Sequence, residues 1–491
     1  MINSIKAWIV FLLFFTTLSL YASSEGYTYK IHIDGLKDTT VLLAYHYGDK
    51  QFISDTIQLD KNGKGIAKSE EDLLPGMYII IAPNKDYFEF FVDGEESAFS
   101  METDTSDFFN HLKIKGSAEN ELYLNDLHFI QKERGKADSL NAKLAALEND
   151  STAQKLIREQ LKSIDEKVLS ERKKLIDAHP NSLYIKMLQA GDDVSLPEDL
   201  KDFNKDEQTR QAAYNFYQNH FFDNVDFTCT GLARTPVMAK RYDTFLEKYT
   251  TLQPDSVNNA CDRIIALSHD NYELFRMTLV YLLNKYATSK IMGFDAVYVH
   301  LVDNYYAKDT AIDWVDAANL YKIKSRADAI RPTLLGNKAP DMNLKDEHDN
   351  LVDLYGLKNR YVVLFFWDPD CGHCKKELPH LTKLYEDLKD KVDLEIYAAS
   401  VETDIEKWKN AVEQYHFPWI NVADPTFKSH FREDYDINGT PRLFLLDKDK
   451  KIIAKKIMSE QMEGIIMKDF EKNYPEAAAK LNAANSDSTK P

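Results

Sequence analysis

Two cysteines three residues apart, Cys371 and Cys374, are the side chains in this sequence best suited to covalent chemistry. They stand in the run Trp367-Asp-Pro-Asp-Cys371-Gly372-His373-Cys374-Lys-Lys-Glu377-Leu-Pro379. The apolar stretch Tyr361–Trp367 before them reads as a buried strand, and a helical pattern follows from about Gly372 to Leu388. A cysteine where a loop becomes a helix meets unpaired backbone N–H groups and the positive end of the helix dipole, and both favour a thiolate. The thiolate is the nucleophile of thiol–disulfide exchange, whereas a free cysteine ionises only near about pH 8.5. Cys374 falls on the same helix face, one turn deeper, where it can attack a mixed disulfide formed at Cys371 and release the product. Such a pair is its own redox centre and calls for no cofactor.

Other uses of the spacing fit poorly. A zinc site needs two further ligands, and the remaining cysteines, Cys229 and Cys261, have no such companions. A c-type haem site needs His directly after the second Cys, where this chain has Lys375. A structural disulfide is at odds with a strand–loop–helix setting. No metal is expected. Cys229 and Cys261 are open to two readings, a structural disulfide or two buried thiols.

The elements that must hold the pair follow from the pattern around it. From about Leu335, strands alternate with helices: Val352–Leu354, Tyr361–Trp367, Leu394–Ser400 and Leu443–Asp447 are strands, with helices at Gly372–Leu388 and Asp404–Tyr415. Residues 24–116 alternate and are rich in aromatic and β-branched types, broken by turn signals such as Asp34-Gly35, Asn62-Gly63 and Pro75-Gly76; they predict a β-sandwich-like domain. Residues 117–332 carry helical spacing and predict an α-helical domain, with Ser182 opening one helix. The small, polar run 477–491 predicts a disordered tail. Residues 1–23, with Lys6, the uncharged run Ala7–Leu20 and then small residues, have the layout of a secretory signal peptide; an uncleaved anchor is the weaker alternative. At 491 residues the chain is too long for one core. Its formal charge of -18 argues against nucleic acid as a partner.

Residues 335–474 resemble the TlpA-like branch of the thioredoxin family, periplasmic thiol–disulfide oxidoreductases. The residues that carry the resemblance are Gly336-Asn-Lys-Ala-Pro340, the strand end at Trp367, the Cys-Gly-His-Cys run, Lys376-Glu377-Leu378-Pro379 and Gly439-Thr440-Pro441. The order of domains also resembles envelope proteins that place a β domain and a helical domain of unknown function before such a thioredoxin. The resemblance implies a C-terminal α/β thioredoxin fold, with Cys371 as nucleophile, Cys374 as resolving thiol and Pro441 as a cis-proline opposite them. The backbone of Thr440 would then pair with a bound client. It makes Glu377 a candidate proton acceptor for Cys374; the alternative is an ordinary solvated helix charge. Gly372 and His373 would border the client, and so would Trp367, whose alternative is an ordinary core position. Two departures stand out. Phe365 occupies the position where thioredoxin has a buried Asp. Gly372-His373 replaces the usual Gly-Pro; this is the dipeptide of disulfide isomerases, whose potential is about -180 mV against about -270 mV for thioredoxin.

The expectation is an exported, periplasmic enzyme that reduces disulfides of cysteine-containing envelope proteins and is recharged by a membrane electron donor. Isomerisation or oxidation is the alternative, from Gly-His. A rival of another class is a partner-binding protein whose thioredoxin domain serves one client or senses redox state.

Overall fold

The computed structural model describes residues 26–147, 151–308 and 312–488. The predicted signal peptide, residues 1–23, lies outside them. Among the described residues no helix is long and apolar enough to cross a membrane. The chain divides into two compact units: residues up to Gln189 with Gly231–Pro236, and Ala190–Thr230 with Val237 onward.

In the first unit the alternating segments become β1 (Tyr27–Asp34), β2 (Thr40–Tyr47), β3 (Lys50–Gln58), β4 (Lys64–Ser69), β5 (Gly76–Ile81), β6 (Tyr87–Val92), β7 (Ala98–Asp104) and β8 (Lys113–Lys115). They form two four-stranded sheets, ordered β4-β1-β7-β8 and β3-β2-β5-β6. The alternation Tyr29, Ile31, Ile33 in β1 puts one face inward. Tyr29 stacks on Phe99 at 4.1 Å and meets Phe90 of the other sheet edge-on at 6.1 Å, so aromatic rings fill the space between the sheets. Helices α1 (Ala118–Ala145), α2 (Ser151–Ala178) and α3 (Leu183–Gly191) follow. Asn120, fully buried at the start of α1, accepts from the N–H of Phe91 and donates to its carbonyl, both at 2.7 Å, so it ties helix to sheet. Ser182 caps α3 as expected, through the N–H of Ile185. Residues 231–236 join this unit, with Ala233 accepting from the N–H of Gly48.

The helices expected over 117–332 are observed, and the two compact units cut across the expected domain. Its first three helices belong with the sheets, and its remainder groups with the C-terminal elements. Helical periodicity marks which face a helix buries, not what it is buried against. The second unit opens with α4 (Glu207–His220), α5 (Val237–Lys248), α6 (Pro254–Ser268), α7 (Tyr272–Ala287), α8 (Asp295–Leu301) and α9 (Ala317–Ile330).

The remaining elements are β9 (Asn343–Asp346), β10 (Leu351–Asp353), β11 (Tyr361–Trp367), α10 (Gly372–Leu388), β12 (Leu394–Ser400), α11 (Ile405–Tyr415), β13 (Ile420–Ala423), α12 (Phe431–Asp434), β14 (Arg442–Leu446), β15 (Ile452–Lys455), α13 (Ser459–Asn473) and α14 (Pro475–Ser488). Their sheet has the order β10-β9-β13-β12-β11-β14-β15. β11 runs parallel to β12 and antiparallel to β14. Every residue of β11 is buried, as a central strand covered on both faces requires. Tyr361, Val363, Phe365 and Trp367 pack on one face with residues of α10, α11 and α13. Val362, Leu364 and Phe366 pack on the other face with Phe431, Tyr435 and Phe444. Within the tail expected to be disordered, the chain is helical to Ser488, with Ala478 buried in the core that also holds Phe470; residues 489–491 lie outside the described residues. Alanine-rich sequence (Glu476-Ala-Ala-Ala-Lys480) has high helix propensity, and a few apolar contacts suffice to dock it.

Candidate active site

β11 delivers the chain to Trp367, a turn follows, and α10 begins at Gly372 with Cys371 as its N-cap. The Cys371 sulfur occupies the place a Ser or Asp oxygen takes in an ordinary cap: it accepts from the backbone N–H of Cys374 at 3.1 Å. The Cys371 thiol also faces the carbonyl of Thr440 at 3.3 Å, so the loop before β14, 69 residues away in sequence, closes over the pair. The Thr440–Pro441 peptide is cis, as the resemblance implies. The structure thus brings Cys371, Cys374, Thr440 and Pro441 together.

The two thiols are unequal. Cys371 is partly exposed and Cys374 fully buried. Partial burial works against the Cys371 thiolate, but hydrogen bonds with the Cys374 thiol and the Thr440 side chain and from the backbone N–H groups of Cys374 and His373 outweigh it, and its pKa falls below the ordinary cysteine range. Burial pushes the Cys374 thiol up, and the hydrogen bond it makes to Cys371 adds to the shift. The outer sulfur is activated and the inner one is held as a protonated donor.

The other expected residues are placed as follows. Gly372 and His373 are exposed beside Cys371, and a side chain at Gly372 would meet nothing, so this lip is open to a client. Trp367 takes a core position, 1% exposed, parallel to Phe365 and edge-on to Phe417 at 5.2 Å. Glu377 is not a solvated charge. It is buried, and its Oε1 accepts from the backbone N–H of Ser459 at 2.6 Å, at the start of α13. Its position three residues beyond Cys374 gives the right turn of α10, while the bond to α13 depends on tertiary packing. Phe365 lies in the apolar core where thioredoxin's Asp would be.

Sequence reasoning missed Lys407. This α11 side chain pairs with Asp370, next to Cys371, at 2.6 Å and also with Glu402. Ligand atoms of Asp368, Asp370 and Glu402 lie within 4.8 Å of one another. Backbone N–H groups of Asp404 and Thr403, together with Lys407, hold Glu402 down to about 2. Lys407 thus neutralises part of the negative charge gathered on the lip beside Cys371. The two partners of this cation are far apart in sequence, so no local spacing reveals it. Of the other cysteines, Cys261 is buried in α6, its thiol raised by burial, and Cys229 is half-buried before Thr230; no disulfide joins them.

Residues 335–455 match the profile of the AhpC/TSA family, residues 27–123 match a domain of unknown function designated DUF4369, and residues 195–332 match another, DUF5106. Over 137 residues the chain is 33% identical to the thiol-disulfide oxidoreductase ResA of Bacillus cereus, covering 27% of this chain and 78% of that protein. The chain belongs to the thioredoxin-like thiol-disulfide oxidoreductases. Its match to the ResA of Bacillus thuringiensis is 35% identical over 138 residues, again 27% of this chain and 78% of that protein. Among solved structures, the thioredoxin domain of a thiol-disulfide oxidoreductase from Bacteroides vulgatus is 33% identical, covering 27% of this chain and 97% of that one, with a TM-score of 0.26.

For an oxidoreductase of this family the unequal thiols fix a pH profile. Of the pair, the reduced protein should alkylate at Cys371 and not at Cys374, with a midpoint below the value of about 8.5 for free cysteine. The sign follows from the lowered pKa: thiolate, and with it reactivity, is lost as pH falls through the folded-state value. Iodoacetamide rates followed by peptide mass spectrometry check this; comparable labelling of Cys374, or a midpoint above free cysteine, contradicts the assignment.

Proposed function

We propose that this oxidoreductase is exported to the periplasm, where the Cys371–Cys374 pair reduces disulfides of envelope proteins. The observation that carries the reading is the division of labour between an activated outer thiol and a buried, protonated inner one at the N-terminus of α10. The Cys371 thiolate attacks one sulfur of a client disulfide; a Cys371–client bond forms and the client's other sulfur leaves as a thiolate. Cys374 then gives up its proton and attacks the Cys371 sulfur. The Cys371–Cys374 disulfide forms, the second client sulfur leaves, and two electrons have passed to the client. A membrane electron donor must return them. Glu377, three residues on along α10, is the candidate acceptor for the Cys374 proton, and it would have to release Ser459 to act. The export reading rests on the pattern of residues 1–24.

A second direction is favoured by His373. An imidazole beside the thiols can carry charge, stabilise the thiolate form and raise the potential, which suits isomerisation or oxidation. The equilibrium potential of the intact chain in glutathione and dithiothreitol buffers separates the two. A value near or below about -270 mV is expected for the reductase; one near about -180 mV or higher overturns that direction.

A further inference from the structure

Asparagine followed by glycine occurs twice in the chain, at Asn62-Gly63 and at Asn438-Gly439. Asparagine is chemically labile, most of all before glycine, where no Cβ keeps the next backbone nitrogen from the side-chain carbonyl carbon. The fold treats the two pairs differently. Asn62 lies in the turn between β3 and β4. There the Gly63 N–H donates to the carbonyl of Asp60 at 3.0 Å, and the Gly63 carbonyl accepts from the N–H of Ile33 at 2.9 Å. Oδ1 of Asp60 also accepts from the N–H groups of Asn62 and Lys64, at 2.8 and 2.9 Å. Gly63 is buried and left-handed, at φ +73°, and a Cβ on it would lie 2.3 Å from the carbonyl oxygen of Ile33. Its nitrogen is engaged and its backbone has no room to turn. Asn438 lies in the loop before β14, and both it and Gly439 are exposed. Among the described residues the Gly439 N–H donates to no group, and a Cβ on Gly439 would meet nothing within 4 Å. The Asn438 amide is held there by a single surface hydrogen bond, from Nδ2 to Oδ1 of Asp436 at 2.5 Å.

We propose that Asn438 is a site of spontaneous deamidation, and that its conversion to isoaspartate slows the reaction of Cys371. The backbone nitrogen of Gly439 gives its proton to solvent base and bonds to Cγ of Asn438. The Cγ–Nδ2 bond breaks and Nδ2 leaves as ammonia, which closes a five-membered succinimide. Water then opens the ring at either carbonyl. One product is aspartate at 438 on the original backbone. The other is isoaspartate, in which the main chain runs through the side-chain carbons and is one methylene longer. Both carry a new carboxylate. The place matters because the Thr440 carbonyl, in the same short loop, stands 3.3 Å from the Cys371 sulfur. A longer chain at 438 displaces Thr440, whose hydrogen bonding is one of the interactions that favour the Cys371 thiolate, and the added negative charge opposes that thiolate as well. The effect is on the attacking sulfur, so it holds for either direction of electron flow.

Ageing of the intact chain at mildly alkaline pH in the presence of a thiol reductant tests the proposal. Peptide mass spectrometry should show the mass gain of amide-to-acid conversion at Asn438, with Asn62 converting at least about tenfold more slowly, the effect of holding the Gly63 N–H in a hydrogen bond within a fixed turn. Enzymatic methylation of isoaspartate should label the same Asn438 peptide. Returned to pH 7, the aged protein should alkylate at Cys371 roughly threefold more slowly than fresh protein, the worth of one ordinary hydrogen bond. Gly439→Ala, which the open surroundings accept, and independently Asn438→Gln, whose longer side chain cannot close the five-membered ring, should both abolish the mass gain and the slowing on ageing while the circular dichroism spectrum stays unchanged. No conversion at Asn438, or conversion of Asn62 at the same rate, overturns the site. Full conversion with an unchanged Cys371 rate, or slowing on ageing that both variants retain, overturns its effect on the reaction.

Discussion

Replacing Cys371 by serine is expected to reduce the turnover of a disulfide-bonded protein substrate to the rate of the uncatalysed exchange, while Cys374→Ser stalls the enzyme after the first step as a mixed disulfide. The argument is local. Only Cys371 combines exposure, a helix N-terminus and donors aimed at its sulfur, and a serine hydroxyl there is not ionised at neutral pH. Serine at 374 keeps a donor toward Cys371 but cannot close the disulfide, so the adduct accumulates stoichiometrically and is visible by non-reducing electrophoresis or intact mass. Cys374→Ala goes further. It removes the donor, and the midpoint for alkylation at Cys371 should move up toward that of free cysteine, because the hydrogen bond from Cys374 is one of the interactions that lower it. A structural disulfide predicts the opposite set: Cys371→Ser would lose stability and keep whatever activity the chain has.

The parts of this site legible in the sequence are those that neighbours along the chain determine. A seven-residue apolar run, a loop and a cysteine opening a helical pattern are enough to place Cys371 on an N-cap, and three residues of helix put Cys374 one turn deeper. Pro441 entering a strand marked the facing loop, though only the fold brings Thr440 to 3.3 Å from Cys371. What was not legible depends on contacts between distant segments. Glu377 reads as a surface charge until α13 arrives to donate Ser459 N–H to it. Lys407 reads as one more lysine on an amphipathic helix until Asp370 and Glu402 converge on it. Trp367 reads equally well as lip or core, and the stacking of Phe365 and Phe417 makes it core. The fold shows the same limit. Strands and helices appear close to where periodicity puts them, such as α11 at Ile405–Tyr415 and β14 at Arg442–Leu446. How the central helices divide between two units follows from which apolar faces meet, and one sequence does not encode that locally.

The largest stability effect expected outside the redox pair belongs to the Asp295–Lys455 pair. Both side chains are almost fully buried, at 6% and 3% exposure, and α8 is linked through them to the end of β15. Burial lowers the Lys455 pKa despite the attraction of Asp295, with Lys456 and Arg442 opposing its charge as well, so desolvation outweighs the pairing. Removing one partner then strands the other. Lys455→Met should cost about 3–5 kcal/mol, because the Asp295 carboxylate is left buried without its cation. Asp295→Leu should cost a similar amount by stranding the ammonium. The double variant Asp295→Leu/Lys455→Met should recover most of the loss, since well-packed apolar groups of similar volume replace a buried pair at little net cost. Denaturant unfolding followed by tryptophan fluorescence, on the chain without residues 1–23 and hence without Trp8, reads this unit selectively, because Trp314, Trp367, Trp408 and Trp419 all lie in it. Additive losses in the double variant would mean that the two charges contribute independently, and the pair would not then be what joins helix to sheet. Recovery would assign the cost of each single variant to an uncompensated charge.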